Sequence, residues 1–264
     1  MYLSKEQLNS FHTNGFLILR DFANPNQSQA ILDIANIHLK YKVEPLETEL
    51  EYGGKSKEYR TNVIDYNSES KEEQVTVRRL RQVYHRDTIF KNWMENEKIR
   101  PILQQILDDQ VVITIAHHNS IMTKMPHSST ETAWHRDRRY WRYSDDNLVS
   151  IWLALGDENS QNGVLEFIPK SHLLDFGEEQ FDEKEYFHNK SRENLSLIET
   201  KVSTQLKQGD VVIFHSKLLH RANANRSQSP KISFVYTVKG ASTKVIDGTR
   251  SSSYPEILLP ILDK

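Results

Sequence analysis

Two side chains able to bind a metal stand two residues apart in Trp134-His135-Arg136-Asp137. In extended backbone, residues i and i+2 project to the same face, so the His135 imidazole and the Asp137 carboxylate can reach one point in space. A lone His-x-Asp is a weak signal, because chance produces it in many chains and a surface polar pair looks the same. A third donor gives it weight. His220 follows the strand-like run Asp210-Val211-Val212-Ile213-Phe214 and precedes Arg221-Ala222-Asn223-Ala224-Asn225. Two histidines and one carboxylate on one face of an octahedron are the facial triad of non-haem Fe(II) oxygenases, which leaves positions open for a bidentate cosubstrate and O2. The same donors around tetrahedral zinc would activate a water, so a zinc-type metallohydrolase is the rival chemistry.

Most of the remaining chemistry is excluded by composition. The sequence has no cysteine, which removes disulfides, thiolate-held iron–sulfur clusters, cysteine zinc sites and thiol nucleophiles. With 34 basic against 36 acidic residues it offers no electrostatic footprint for a nucleic-acid backbone, and no nucleic-acid partner is expected. No segment approaches the roughly 18 consecutive apolar residues of a membrane span, and MYLSKEQLNSFH lacks the basic and apolar regions of a signal peptide. A cytoplasmic protein with no membrane partner is the expectation. Oligomeric state is not legible. Of the 11 histidines, His12, His38, His85, His127 and His188 sit among polar or mixed neighbours and read as surface residues.

The elements that must position the donors change character along the chain. Ser4 and Gln7 form a capping-box pattern ahead of Leu8 and Phe11, and Gly15 ends that helix before the run Phe16-Leu17-Ile18-Leu19. Asn24-Pro25 opens a second helix with Ile31, Leu32, Ile34 and Ala35 as its buried stripe. Residues 45–75 are polar and read as a long loop, and residues 87–107 as a helical pair, the second helix starting at Pro101. From residue 110 the period shortens. Runs at 111–125, 147–155, 163–169, 210–215 and 231–239 are β-branched or aromatic and separated by turn residues, which predicts a β-sandwich or barrel with helices packed outside. One domain over residues 1–264 is expected, helical to about 109 and β from about 110 to 240.

Four segments then stand out in order: LSKEQLNSFHTNGFLILRDF, WHRDRRYW, SIWLALGDENSQNGVLEFIPKSH and GDVVIFHSKLLHRANANRS. Together they resemble the phytanoyl-CoA dioxygenase family of Fe(II)- and 2-oxoglutarate-dependent oxygenases, over almost the whole chain. The resemblance implies a mostly β fold with flanking α-helices, a double-stranded β-helix of jelly-roll, cupin-like form, whose mouth binds Fe(II), the cosubstrate 2-oxoglutarate and O2. It places His135, Asp137 and His220 on the iron ligands, and Trp152 on the aromatic that walls the cosubstrate pocket, although a core tryptophan reads the same way. It also implies that halogenation is not the outcome, since related halogenases lack the carboxylate that Asp137 supplies.

This sequence departs from the family at the cosubstrate's far carboxylate. Where members usually carry an arginine, eleven positions beyond the distal histidine, it has Lys231, a point donor rather than a fork. Ser233, two residues on and on the same strand face, can add a hydroxyl. Arg226, in the turn-like Asn225-Arg226-Ser227, is the competing anchor, and Lys231 is preferred. Some cation is needed, because a buried carboxylate left unpaired costs several kcal/mol. Lys124 reads as a solvated strand-end lysine bordering this region. One of His117 and His118 is expected to point into the barrel from a strand, in a structural role.

The expected reaction is hydroxylation of an unactivated C–H in a small organic substrate. The cluster Arg138, Arg139 and Arg142 with Tyr140, Trp141 and Tyr143 suits an acidic substrate, or equally a charged surface loop. A metal-binding jelly-roll protein without oxygenase turnover is the remaining alternative, favoured by Lys231 in place of arginine.

Overall fold

The computed structural model describes residues 1–49 and 76–262. Helix α1 (Lys5–Asn14) starts and stops as its sequence requires. The Ser4 hydroxyl accepts from the Gln7 N–H, the Gln7 side chain accepts from the Ser4 N–H, and Gly15 leaves the helix at φ 82°, a left-handed conformation that costs glycine little. Strand β1 (Phe16–Leu19) leads to α2 (Pro25–Lys40), capped by Asn24, with Ile31 and Ala35 fully buried. The region read as a loop from residue 45 begins instead with a short strand, β2 (Leu46–Thr48), which pairs with β3 (Val77–Arg81); residues 50–75 of that expected loop lie outside the described residues. β3 carries three arginines in five residues, a composition that conceals a strand from propensity reasoning. The helical pair is present as α3 (Thr88–Met94) and α4 (Arg100–Leu107), with Pro101 in the first turn of α4, where its missing N–H costs nothing.

The β region is a jelly roll of two sheets. Its strands are β4 (Val111–Thr114), β5 (Asn119–Lys124), β6 (Thr132–His135), β7 (Leu148–Ala154), β8 (Leu165–Phe167), β9 (Val202–Ser203), β10 (Val211–His215), β11 (His220–Ala222), β12 (Lys231–Gly240) and β13 (Glu256–Leu258), with α5 (Arg192–Glu199) between β8 and β9. The larger sheet runs β1-β10-β7-β12-β5-β3-β2, with β4 and β13 continuing beside β12; the smaller runs β6-β11-β8-β9. The expected continuous run 111–125 is broken, since residues 115–118 turn between β4 and β5, so His117 and His118 stand on that turn and not on a strand.

All residues of the central strands β7 and β12 are buried, because the large sheet is covered on both faces. Alternation sorts them. Ile151, Leu153, Ile213, Phe234 and Tyr236 face outward against Ile31, Phe90, Leu103 and Ile106 of the helices. Trp152, Val212, Phe214 and Val235 face inward, against Leu165, Phe167 and Ala222 of the small sheet. Each such aliphatic or aromatic side chain contributes roughly 1.5–3 kcal/mol on burial. No helix among the described residues is long and apolar enough to cross a membrane.

Candidate active site

The site is set by register in the small sheet. β6 and β11 pair so that His135 lies directly opposite His220, their ring centroids 4.2 Å apart. After His135 ends β6, Arg136 keeps extended backbone (φ −111°, ψ 136°) and Asp137 opens a 3-10 turn, which returns the carboxylate to the side of the imidazole. One donor atom from each of His135, Asp137 and His220 lies within 4.8 Å of the others, all three residues buried. The histidine Nε2 atoms stand 3.8 Å (His135) and 3.6 Å (His220) from Asp137 Oδ1.

Each imidazole is held by its own strand. Nδ1 of His135 is 2.8 Å from the Ala133 carbonyl oxygen, and Nδ1 of His220 is 3.0 Å from that of Leu218. A carbonyl can only accept, so both Nδ1 atoms carry the proton and both Nε2 lone pairs are left for a metal. Burial, with His220 and Arg139 adding to it, pushes the His135 pKa well below its ordinary value, which keeps it in the neutral, ligating form. Asp137 Oδ2 accepts a 3.0 Å hydrogen bond from Ser150 Oγ. Among the described residues no lysine or arginine pairs with the Asp137 carboxylate, which is 3% exposed. A buried carboxylate without a lysine or arginine partner among the described residues, beside two imidazoles tied through Nδ1, fits a divalent ion, whose charge would offset the burial.

His118 is the member of the expected pair that enters the barrel, although its contact with the triad carboxylate was not foreseen. From its turn it enters the barrel and brings Nε2 to 3.4 Å from Asp137 Oδ1, with Nδ1 3.4 Å from Ser150 Oγ. Its pKa is lowered by burial, against the pull of Asp137. His117 points elsewhere, its Nε2 2.9 Å from Ser251 Oγ, and burial brings its pKa down to about 3.

A cavity of about 900 Å³ connects the three donors to a cationic end, and Trp152, Lys231, Lys124 and Arg78 line it. Of the three residues singled out for the cosubstrate, Trp152 and Lys231 line the cavity and Ser233 does not, but all three converge on a group that sequence reasoning did not mark. Glu158 Oε1 accepts from Ser233 Oγ (2.6 Å) and Trp152 Nε1 (3.0 Å), while Oε2 pairs with Lys231 Nζ (3.2 Å), and both charged side chains are at most 2% exposed. The Lys231 ammonium also lies over the Trp152 ring. Lys124 is not the solvated strand-end residue expected. It is 6% exposed, directly opposite Lys231 in the β5–β12 register, with its Nζ on the Thr130 carbonyl (2.8 Å) and its stem against Gly163, where a Cβ would fall 2.6 Å from it. Burial, reinforced by Arg78 and Lys231, holds the Lys124 pKa well below its usual value. Arg226 is exposed and does not line the cavity, so the competing anchor lies away from it. Of the five histidines read as surface, none lines the cavity; His38 and His188 are half-buried and the other three exposed.

Fold and site thus define a class: a jelly roll whose small sheet presents two histidines, and the turn after β6 a carboxylate, to one cavity. The particular family follows from comparison. The family model of phytanoyl-CoA dioxygenase (PhyH) matches residues 11–233, and the chain belongs to this family of iron- and 2-oxoglutarate-dependent dioxygenases. It is similar to a protein named phytanoyl-CoA dioxygenase 1 from Oryza sativa subsp. japonica, 20% identical over 249 residues that cover 85% of each chain. It is also similar to a probable alpha-ketoglutarate-dependent hypophosphite dioxygenase from Stutzerimonas stutzeri, 24% identical over 138 residues, 51% of this chain and 47% of that one. Among solved structures, EctD from S. alaskensis with bound Fe superposes with a TM-score of 0.70 at 17% identity, covering 98% of this chain and 87% of that one.

Proposed function

We propose that this chain, as one domain over residues 1–264, hydroxylates an unactivated C–H of a small, acidic organic substrate, with His135, Asp137 and His220 holding the iron. The observation that carries this reading is the convergence of three buried donors with both imidazoles tied through Nδ1. The names of the relatives support the cosubstrate and that of the superposed structure the metal. Bound there with 2-oxoglutarate and O2, Fe(II) supplies the oxidising chemistry, in which the cosubstrate is decarboxylated to succinate and the substrate C–H is hydroxylated.

The chain's own part is to place the reactants. The two imidazoles and the Asp137 carboxylate would hold the metal, and Ser150 orients that carboxylate through Oδ2. Lys231, with Ser233 and Trp152, forms the cosubstrate end, where a carboxylate is the natural guest. An ammonium has three donors, and Glu158 occupies one of those of Lys231. Lys124 stands beside it, its one hydrogen-bond acceptor among the described residues being the Thr130 carbonyl. Glu158 therefore pairs with one of two adjacent lysines and leaves the other to meet the cosubstrate's far carboxylate.

Anaerobic addition of Fe(II) and then 2-oxoglutarate to the purified protein tests metal and cosubstrate together. A weak visible charge-transfer band is the expected result, and its absence removes the oxygenase reading. One observation favours a jelly-roll protein without turnover, namely that Glu158 already holds Lys231. A band without 2-oxoglutarate consumption under O2, across candidate substrates, would establish that alternative. A zinc-type hydrolase would hold stoichiometric zinc and give no band.

A further inference from the structure

Among the described residues five arginines line the cavity, and the structure separates them by their partners. Arg78 pairs with Glu49 (3.1 Å), Arg79 with Glu47 (2.5 Å) and Arg221 with Glu166 (2.5 Å). Arg250 is exposed, so water solvates it. Arg139 is different. It is 7% exposed, and among the described residues no carboxylate lies within ion-pair distance of it. Its Nη1 donates to the Lys184 carbonyl oxygen (3.3 Å), and its buried Nε has no acceptor among the described residues.

The two arginines that flank it in the sequence serve the loop. Arg138 is bound to Asp146 and to the carbonyl oxygens of Trp141 and Tyr143. Arg142 is exposed and donates to the Arg139 carbonyl oxygen (3.0 Å). Tyr186 and Tyr140 lie against the Arg139 guanidinium, with ring centroids 4.0 and 4.4 Å from Cζ. These contacts hold the group in place and give part of the attraction a counter-ion would, but they meet none of its N–H donors. A buried guanidinium without an anion is costly, and removing that cost is what a bound anion would do.

We infer that Arg139, packed against Tyr140 and Tyr186 at the cavity wall, binds an oxyanion of the substrate, a carboxylate or a phosphonate-type group, and so directs the substrate toward the metal centre. This rests on the oxygenase reading and deepens it by assigning the acidic group of the substrate to one residue. Of the three arginines following the metal motif, it leaves Arg138 and Arg142 without a substrate role.

The test uses butanoate, butylphosphonate and the uncharged butanamide, each titrated into the full-length protein holding Mn(II) and saturating 2-oxoglutarate. Binding is read by ligand-observed NMR, and paramagnetic broadening by Mn(II) reports whether the probe's alkyl protons lie beside the metal. The expected result is that one or both anions bind at least about tenfold more tightly than the amide, the difference a charge-assisted hydrogen bond makes. The tighter of the two anions identifies the class. Arg139→Gln should abolish that preference with 2-oxoglutarate affinity unchanged, and Arg142→Gln should leave the preference intact. Should Arg139→Gln fail to fold, Arg139→Lys decides: a point charge without the fork should weaken anion binding severalfold and leave the amide unaffected. Equal binding of anions and amide, no binding of any probe, or a preference that survives at position 139 overturns the inference. Failure of the wild type to bind 2-oxoglutarate falls instead on the oxygenase reading, and the same series without cosubstrate then decides Arg139 alone.

Discussion

At the metal end of the cavity Asp137 is buried without a lysine or arginine partner among the described residues, whereas at the lysine end Glu158 and Glu49 are each met by a cation, Lys231 and Arg78. The first arrangement suits an arriving cation and the second, with Lys124 in surplus, an arriving anion. Each end is short of the charge its guest carries. The difference teaches that burial alone does not mark a functional polar group. Glu158 is as buried as Asp137, but Lys231, Ser233 and Trp152 satisfy it, while Asp137 receives one hydroxyl and faces three imidazoles.

The largest effect should come from the metal end. His135→Ala, Asp137→Ala and His220→Ala should each abolish the iron-dependent 2-oxoglutarate band while far-UV circular dichroism stays native, because these side chains contribute ligand lone pairs more than packing. Wild-type-like decarboxylation of 2-oxoglutarate by any one variant would remove that residue from the triad. At the lysine end, Glu158→Ala leaves Lys231 without its anion and should cost about 3–5 kcal/mol of stability in urea denaturation. A loss under about 1 kcal/mol would mean that the pair is no more than a surface-like contact.

Lys231→Ala should weaken 2-oxoglutarate binding by about 2–5 kcal/mol, roughly 30-fold or more, with Lys231→Arg milder and Arg226→Ala without effect. A large loss at Arg226 with none at Lys231 would reverse the assignment of the cosubstrate end. Ser150→Ala removes the hydrogen bond that orients Asp137, and about a tenfold loss of iron affinity is expected, read by competition with a chelator.

The smallest effect is on stability against pH. Burial first, then Arg78 and Lys231, lower the folded-state pKa of Lys124, while Glu49 and Glu131 oppose them. Between that lowered value and 10.5 the unfolded chain binds more protons than the folded one, so stability rises with pH in this window. Lys124→Met should flatten the rise, by at most about 1.4 kcal/mol per pH unit, in urea denaturation at two alkaline pH values. An unchanged slope would show that Lys124 stays fully protonated in the folded state.

The sequence by itself displayed the three donors, but not the short strands β6 and β11 that carry two of them. The His-x-Asp spacing needed only extended backbone at Arg136, and the caps at Ser4, Gly15 and Asn24 are local chemistry that a short window contains. β3 was not legible, since Val77–Arg81 shows three arginines where a strand shows alternation, and its place is decided by pairing with β5. The same holds for Lys124 and Glu158. Lys124 read as a solvated strand end until the β5–β12 register set it opposite Lys231, and Glu158, in a turn-rich segment, gave no sign of its burial. Three adjacent arginines looked alike in one dimension, and only the third showed that Arg138 has Asp146, Arg142 has solvent, and Arg139 has neither. Ligand chemistry is carried by residue type and short spacing, which a sequence displays. Whether a charge is compensated depends on which side chains distant in the chain share its dry surroundings, and that is decided only when the sheets close.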